Sequence, residues 1–225
     1  MDGQAAVQRL IAGFGGPAKG AKAEPYLCHG FCELGAVYLD DALRDVNNFL
    51  ESHPKEVVII FFGDYVSPKD TADSFTRTGL IDRVYTREAG APWPTLQEMI
   101  DLDRRVLVLS EHVGNAPKPE WYIDGWTVVQ DTPYAFKSIA DLQAGTSCAT
   151  NRGTDGAPMF LVNNWVPSQT PSPTVAATVN AYYALLGRVR RCQELRGLFP
   201  NIIAVDFAEK GDLMRVVDTI NGVGP

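Results

Sequence analysis

Along this chain, short continuous apolar runs repeatedly close on a polar residue. Tyr26-Leu27-Cys28 runs into His29, and Val57 to Phe62 runs into Gly63 and Asp64. Val106 to Leu109 runs into Ser110, Glu111 and His112, and Thr127 to Gln130 runs into Asp131. Phe160 to Val162 runs into Asn163 and Asn164, and Ile202 to Val205 runs into Asp206. Continuous rather than alternating apolar runs suit strands buried on both faces, as in a parallel sheet. Polar residues gathered at the C-terminal ends of such strands mark the active face of a β/α barrel. A loop also begins with polar residues, so any single ending carries little weight; the recurrence is what points to a site.

Between these runs the spacing is helical. Leu39, Leu43, Val46 and Leu50 predict a helix over 37–52, stopped by Ser52-His53-Pro54. Ser67 as N-cap and Pro68 in the first turn open a helix to residue 79, and Thr95 with Glu98 has capping-box spacing for a helix over 95–102. Val175, Val179, Tyr182, Tyr183, Leu186 and Val189 form an apolar stripe on one long helix over 174–196, ended by Gly197 and Pro200. A last helix is expected near 211–220. Residues 141–158 read as loop. Residues 4–12 suit one short helix, and the glycines that follow make 1–24 a flexible segment outside the alternating strand–helix texture. Six strands are expected, over 26–29, 57–62, 105–110, 126–131, 159–163 and 201–206, fewer than a closed barrel needs.

Composition narrows the class of partner. The 225 residues are 45% hydrophobic and 21% charged with a net charge of -7, ordinary for one globular domain. An acidic chain without a basic stripe is not expected to bind nucleic acid, and contact with a membrane surface is expected to be transient at most. No segment reaches the length of a membrane span, and Asp2 and Arg9 interrupt the start too early for a signal peptide. The cysteines Cys28, Cys32, Cys148 and Cys192 lack the paired spacing of a zinc site. They are either reduced thiols or two disulfides, and four cysteines allow three pairings. Proximity favours Cys28–Cys32, which leaves Cys148–Cys192. Cysteines placed in loops and near a helix end favour an oxidising, extracellular compartment.

Longer motifs carry a resemblance. Leu27-Cys28-His29-Gly30, and the stretch from Asn48 through His53-Pro54-Lys55-Glu56 to Ile60, resemble the X domain of phosphatidylinositol-specific phospholipase C, in its secreted bacterial and plant-type forms. Asp64-Tyr65-Val66, Trp93-Pro94-Thr95-Leu96, Arg105 to Leu109, Val128-Val129-Gln130-Asp131 and Pro200 to Phe207 follow in the same order. The resemblance implies a distorted TIM-type β/α barrel, here incomplete over 25–225, with about six parallel strands and the first two of the domain missing. It implies cleavage of an inositol phospholipid or related phosphodiester by histidine acid–base catalysis, in which the substrate's own hydroxyl attacks phosphorus. His29 then stands as the general acid and Asp206 as the carboxylate that orients a second histidine. Asp131 stands where the family holds inositol hydroxyls. Asp64, Asn163, His112 and Tyr134 join it as substrate-binding candidates.

The departures matter too. The family's first histidine lies on a strand preceding the matched region, and residues 1–24 hold no histidine. Gly63 stands where calcium-dependent members carry Glu, and Asp64 is a weak substitute, so no cofactor is expected. An alternative is therefore a catalytically disabled relative that retains binding. A glycerophosphodiesterase-like enzyme would need clustered metal-binding carboxylates, which the sequence does not show. His53, at a helix end, is read as a partner of the helix dipole rather than a site residue.

Overall fold

Parallel strands do form, in an α/β arrangement, but they form two short sheets, with no closed barrel among the described residues. The computed structural model describes residues 24–28, 35–63, 65–88, 90–167 and 172–223. The chain divides into two units, 1–124 and 125–225.

In the first unit, β1 (Tyr26–Cys28) pairs antiparallel with β2 (Ala36–Tyr38). The expected parallel barrel strand at this position is thus a hairpin arm. The physical reason is the short connection through residues 29–35, since a parallel return needs a crossover of a dozen or more residues. Next come α1 (Leu39–Ser52), β3 (Val58–Phe62), α2 (Pro68–Arg77), α3 (Leu96–Asp101), β4 (Val106–Ser110) and β5 (Tyr122–Asp124). Strands β3, β4 and β5 pair in parallel, with β4 central and buried at every position. That position explains its unbroken apolar run. Helix α1 buries Leu39, Leu43 and Leu50 among Phe62, Phe75, Leu80 and Val108. Each such leucine contributes about 1.5–3 kcal/mol.

The caps are as local chemistry dictates. Ser67 accepts from the Asp70 N–H, and Thr95 and Glu98 form a complete capping box. At the end of α1, His53 Nδ1 lies 2.9 Å from the Phe49 carbonyl. The buried Arg105 guanidinium donates to the carbonyls of Leu50, His53 and Glu56, so one side chain satisfies acceptors that the helix end leaves open.

Helices α1 and α2 are tied by Arg77, whose Nε and Nη2 donate to the two Asp40 oxygens at 2.8 Å each. The Arg77 hydrogen bonds hold the Asp40 carboxyl below its ordinary range, against the opposing effect of burial. A carboxylate depressed in the folded state adds stability that is present above the unfolded pKa, about 3.9, and is lost as pH falls through the folded value. Wild type should therefore lose more stability between pH 5 and pH 3 than Asp40→Asn, measured by urea midpoints. Equal losses would show that the pair contributes nothing.

The second unit holds α4 (Gly125–Val128), β6 (Val129–Asp131), α5 (Ile139–Gln143), a 3-10 turn (Gly145–Cys148) and β7 (Met159–Asn164). It continues with α6 (Pro173–Val179), α7 (Tyr182–Arg196), β8 (Pro200–Val205) and α8 (Leu213–Ile220). Strands β6, β7 and β8 are parallel with β7 in the middle. The strand expected over 126–131 begins only at Val129, because Gly125–Val128 turns once as helix; β5 was not expected at all.

The single helix expected over 174–196 is two. Asn180 caps α6 and its Nδ2 donates to the carbonyls of Asp206 and Lys210, while Asp212 accepts from the Tyr182 N–H that opens α7. These outside partners replace intrahelical bonds at the break. The change of phase puts Tyr183, expected on the buried stripe, at 85% exposure and buries Leu185 instead. Gly197 ends α7 in the left-handed conformation (φ 63°).

Cys148 and Cys192 are bonded, joining the 3-10 turn to α7 across a sequence separation of 44. Cys28 is also disulfide-bonded, and Cys32 lies outside the described residues. Replacing Cys148 and Cys192 together by alanine should cost about 2–4 kcal/mol, the usual worth of a bridge that closes a long loop. An unchanged denaturant midpoint would show that the turn is already held by other contacts.

Candidate functional site

The parallel pairing of β6 with β7 brings the polar ends of these strands together. Asp131 closes β6 and is fully buried; Asn163, near the end of β7, donates from Nδ2 to Asp131 Oδ2 at 3.0 Å. The loop 151–154 pairs with β6 as an extra strand would. The Asp131 N–H donates to the Arg152 carbonyl at 3.0 Å and the Asn151 N–H to the Asp131 carbonyl at 3.1 Å. The next residue must be glycine: Gly153 has φ +94° and a Cβ there would sit 2.0 Å from the Val129 carbonyl oxygen.

This backbone geometry turns the Arg152 side chain onto the carboxylate. Its Nε and Nη2 donate to Oδ2 at 2.9 and 2.7 Å, and its own N–H donates to Oδ1 at 2.6 Å. Asn151 Nδ2 adds a bond to Oδ1 at 3.3 Å. The guanidinium carbon lies 4.2 Å from the Trp126 ring centroid and 4.4 Å from that of Tyr134, within cation–π range of both. Tyr134 in turn stacks on Trp165 at 6.2 Å. Arg152 keeps 32% of its side-chain surface exposed and Tyr134 is 38% exposed.

Behind the strand end, Arg188 of α7 fastens Asn163. It is 1% exposed, and its Nη2 donates to the Asn163 carbonyl at 2.8 Å. Further bonds reach the carbonyls of Leu142 and Ser147 and the Ser147 hydroxyl. Burial pushes its pKa down to about 10, with Arg191 adding to the effect, so it is still charged at neutral pH.

Asp206 follows β8 and lines a small pocket of about 100 Å³ with Trp165, Val166, Ser172, Val175, Ala176 and Val179. Trp165 is the shared wall between this pocket and the Arg152 cluster. Of the sequence candidates, Asp131, Asn163 and Tyr134 therefore meet in one cluster and Asp206 lies beside it. His112 belongs to the first unit, where its ring stacks on the exposed Tyr65 at 4.9 Å and its N–H donates to Ser110 Oγ. His29 and Asp64 lie outside the described residues. Among the described residues no three His, Cys, Asp or Glu side chains gather as a metal site. Trp126, Arg152 and Trp165 were not foreseen. Arg152 sits in a stretch that reads only as loop, and nothing short of the β6 pairing points to it.

Comparison with known proteins agrees with this order of motifs. The family model of the PI-PLC X domain, described as PI-PLC X 1, matches residues 17–221. The chain belongs to the PI-PLC X family. It is 27% identical to a PI-PLC X domain-containing protein 1 of the fungus Arthroderma benhamiae, over 88% of this chain and 69% of that protein. It is 24% identical to a PI-PLC X domain-containing protein of Arabidopsis thaliana, over 80% of this chain and 44% of that protein. A third relative, from Arthroderma benhamiae, is called an uncharacterized secreted protein; it is 33% identical over 49% of this chain and 26% of its own length. No solved structure matches. Within the PI-PLC X match lie both His29 and Asp206. Among the described residues no helix is long and apolar enough to cross a membrane.

Proposed function

We propose that this PI-PLC X chain is a phosphoric diester hydrolase acting on an inositol phospholipid or a related phosphodiester. The observation that carries the proposal is the family match over 17–221, which includes His29 and the strand-end cluster around Asp131. In this reading a base takes the proton of a substrate ring hydroxyl, which attacks phosphorus and forms a cyclic phosphate, and water then opens that cyclic diester to complete the hydrolysis. His29 gives its proton to the leaving alkoxide oxygen, which departs as the alcohol. An imidazole suits that transfer near neutral pH. Asp206 orients the base, and Asp131, Asn163 and Tyr134 form the polyol subsite. Disulfide bonding suits an oxidising compartment.

The histidines favour a second reading. The chain has three, and His53 is held at the Phe49 carbonyl, which leaves His112 as the other candidate for a base. A chain with an acid but no base would bind the headgroup without cleaving it. Incubating the protein with phosphatidylinositol vesicles, and separately with a soluble inositol phosphodiester, and following cyclic phosphate by ³¹P NMR separates the two. Slow, His29-dependent release supports the hydrolase. Binding with no release from either substrate supports the binding module.

A further inference from the structure

The turn that carries Asp206 is built around one buried side chain. Asn180, which ends α6, is 0% exposed, and its Nδ2 donates to the Asp206 carbonyl at 3.0 Å and to the Lys210 carbonyl at 3.2 Å. Its Oδ1 accepts from Asn164 Nδ2, at the end of β7, at 3.1 Å. Its backbone carbonyl accepts from the Asp212 N–H at 2.9 Å. Reversing the amide would set an oxygen against two carbonyls, so the partners fix its orientation. The turn also lies close against it: Gly211 has φ +88°, and a Cβ there would sit 2.7 Å from the Asn180 Cβ.

Asp206 is followed by Phe207 at φ 50°, a left-handed conformation that is uncommon outside glycine. Such a backbone persists only where its surroundings over-determine it, and such residues cluster at functional sites. Here Asn180 holds the carbonyls on both sides of Phe207, and the Lys210 N–H donates to the Phe207 carbonyl at 2.8 Å. Asn180 also joins two walls of the small pocket, since Asp206 lines it from one side and Val175, Ala176 and Val179 of α6 line it as well.

We infer that Asn180 is a positioning residue for Asp206: held by Asn164, its amide sets the strained turn that presents Asp206 to the pocket. Its effect on catalysis rests on the reading in which Asp206 orients the base. A joint that merely ends one helix and opens the next would need neither the left-handed Phe207 nor the contact with the Asp206 carbonyl.

Two variants of the full chain test this. Asn180→Ala removes the donors. Asn164→Leu leaves the turn untouched but no longer orients the Asn180 amide, and it carries the same readouts should Asn180→Ala not fold, as judged by urea midpoints. The first readout needs no turnover. Amide hydrogen exchange at Lys210 and Asp212, resolved by NMR, should speed up about ten-fold, the weight of one hydrogen bond, and by more than at Leu185 and Val189 inside α7. An equal rise at all four amides is a loss of global stability and overturns the positioning role, and so do unchanged rates.

The second readout is turnover of a soluble inositol phosphodiester. Asn180→Ala should lower kcat about ten-fold with KM held within about two-fold, as expected of a group that acts on the transition state and not on substrate binding. Asn180→Ala/Asp206→Asn should match Asp206→Asn within about two-fold, because a residue that acts only through Asp206 then has nothing left to position. Losses that multiply overturn the inference and leave the hydrolase standing. Wild type without turnover removes the hydrolase, and the local exchange then decides the positioning role by itself.

Discussion

Replacing Arg188 by methionine should lower the unfolding free energy by about 3–5 kcal/mol, because several buried acceptors would lose their donor at once. Those acceptors are the carbonyls of Leu142, Ser147 and Asn163, which belong to α5, the 3-10 turn and β7. Among the described residues the Arg188 guanidinium bonds all three, and its ring partner is Phe136 at 5.2 Å. Methionine replaces the packing of the stem but none of the donors. Arg188→Lys should recover part of the loss, since an ammonium keeps the charge and reaches fewer of the oxygens. Arg190→Ala, at an exposed position of the same helix, is the control and should shift stability by less than about 0.5 kcal/mol. Urea unfolding followed by tryptophan fluorescence reads all three. A midpoint for Arg188→Met equal to that of Arg190→Ala would mean that water or rearranged backbone serves these carbonyls instead. Because Asn163 is bonded to Arg188 on one side and to Asp131 on the other, the loss should carry into the Arg152 cluster as well.

His29→Ala is the second large effect. If the hydrolase reading is right, turnover of a soluble inositol phosphodiester should fall by about 10²–10⁴-fold, the usual contribution of a general acid. Asp206→Asn should cost less, since it works through the orientation of another group. His53→Ala should leave turnover unchanged and lower stability slightly through the lost contact at the end of α1. His112→Ala locates the base: a loss comparable to that of His29→Ala assigns it that role. Unchanged turnover in His29→Ala would falsify the assignment of the acid.

Much of the architecture is legible in the residues. The unbroken Val106 to Leu109 run is the buried centre of one sheet, and the run Phe160 to Val162 is the centre of the other. Ser67, Thr95 with Glu98, and Gly197 mark helix ends through bonds and backbone preferences that span a few residues. In each case the sequence-local term is large and no distant group competes with it. The gathering of Asp131, Asn163 and Tyr134 is foreshadowed in the same way, because residues that end neighbouring parallel strands are brought to one edge of the sheet.

Other features needed partners far along the chain. A helix through Asn180 satisfies its apolar periodicity over 174–196, yet the carbonyls of Asp206 and Lys210 take the Asn180 amide and break it. The first apolar run reads as a barrel strand, yet the short path through 29–35 allows only an antiparallel return. Arg152 has no motif of its own; the pairing of its backbone with Asp131, and the close approach that Gly153 permits, bring it within cation–π range of two aromatic rings. Residue type and spacing determined by themselves where strands, caps and polar strand ends occur, since those depend on burial and on bonds within a turn. Which donors saturate the Asp131 carboxylate was decided only by tertiary structure, because that depends on oxygens and nitrogens some twenty to thirty residues apart meeting within 3.3 Å.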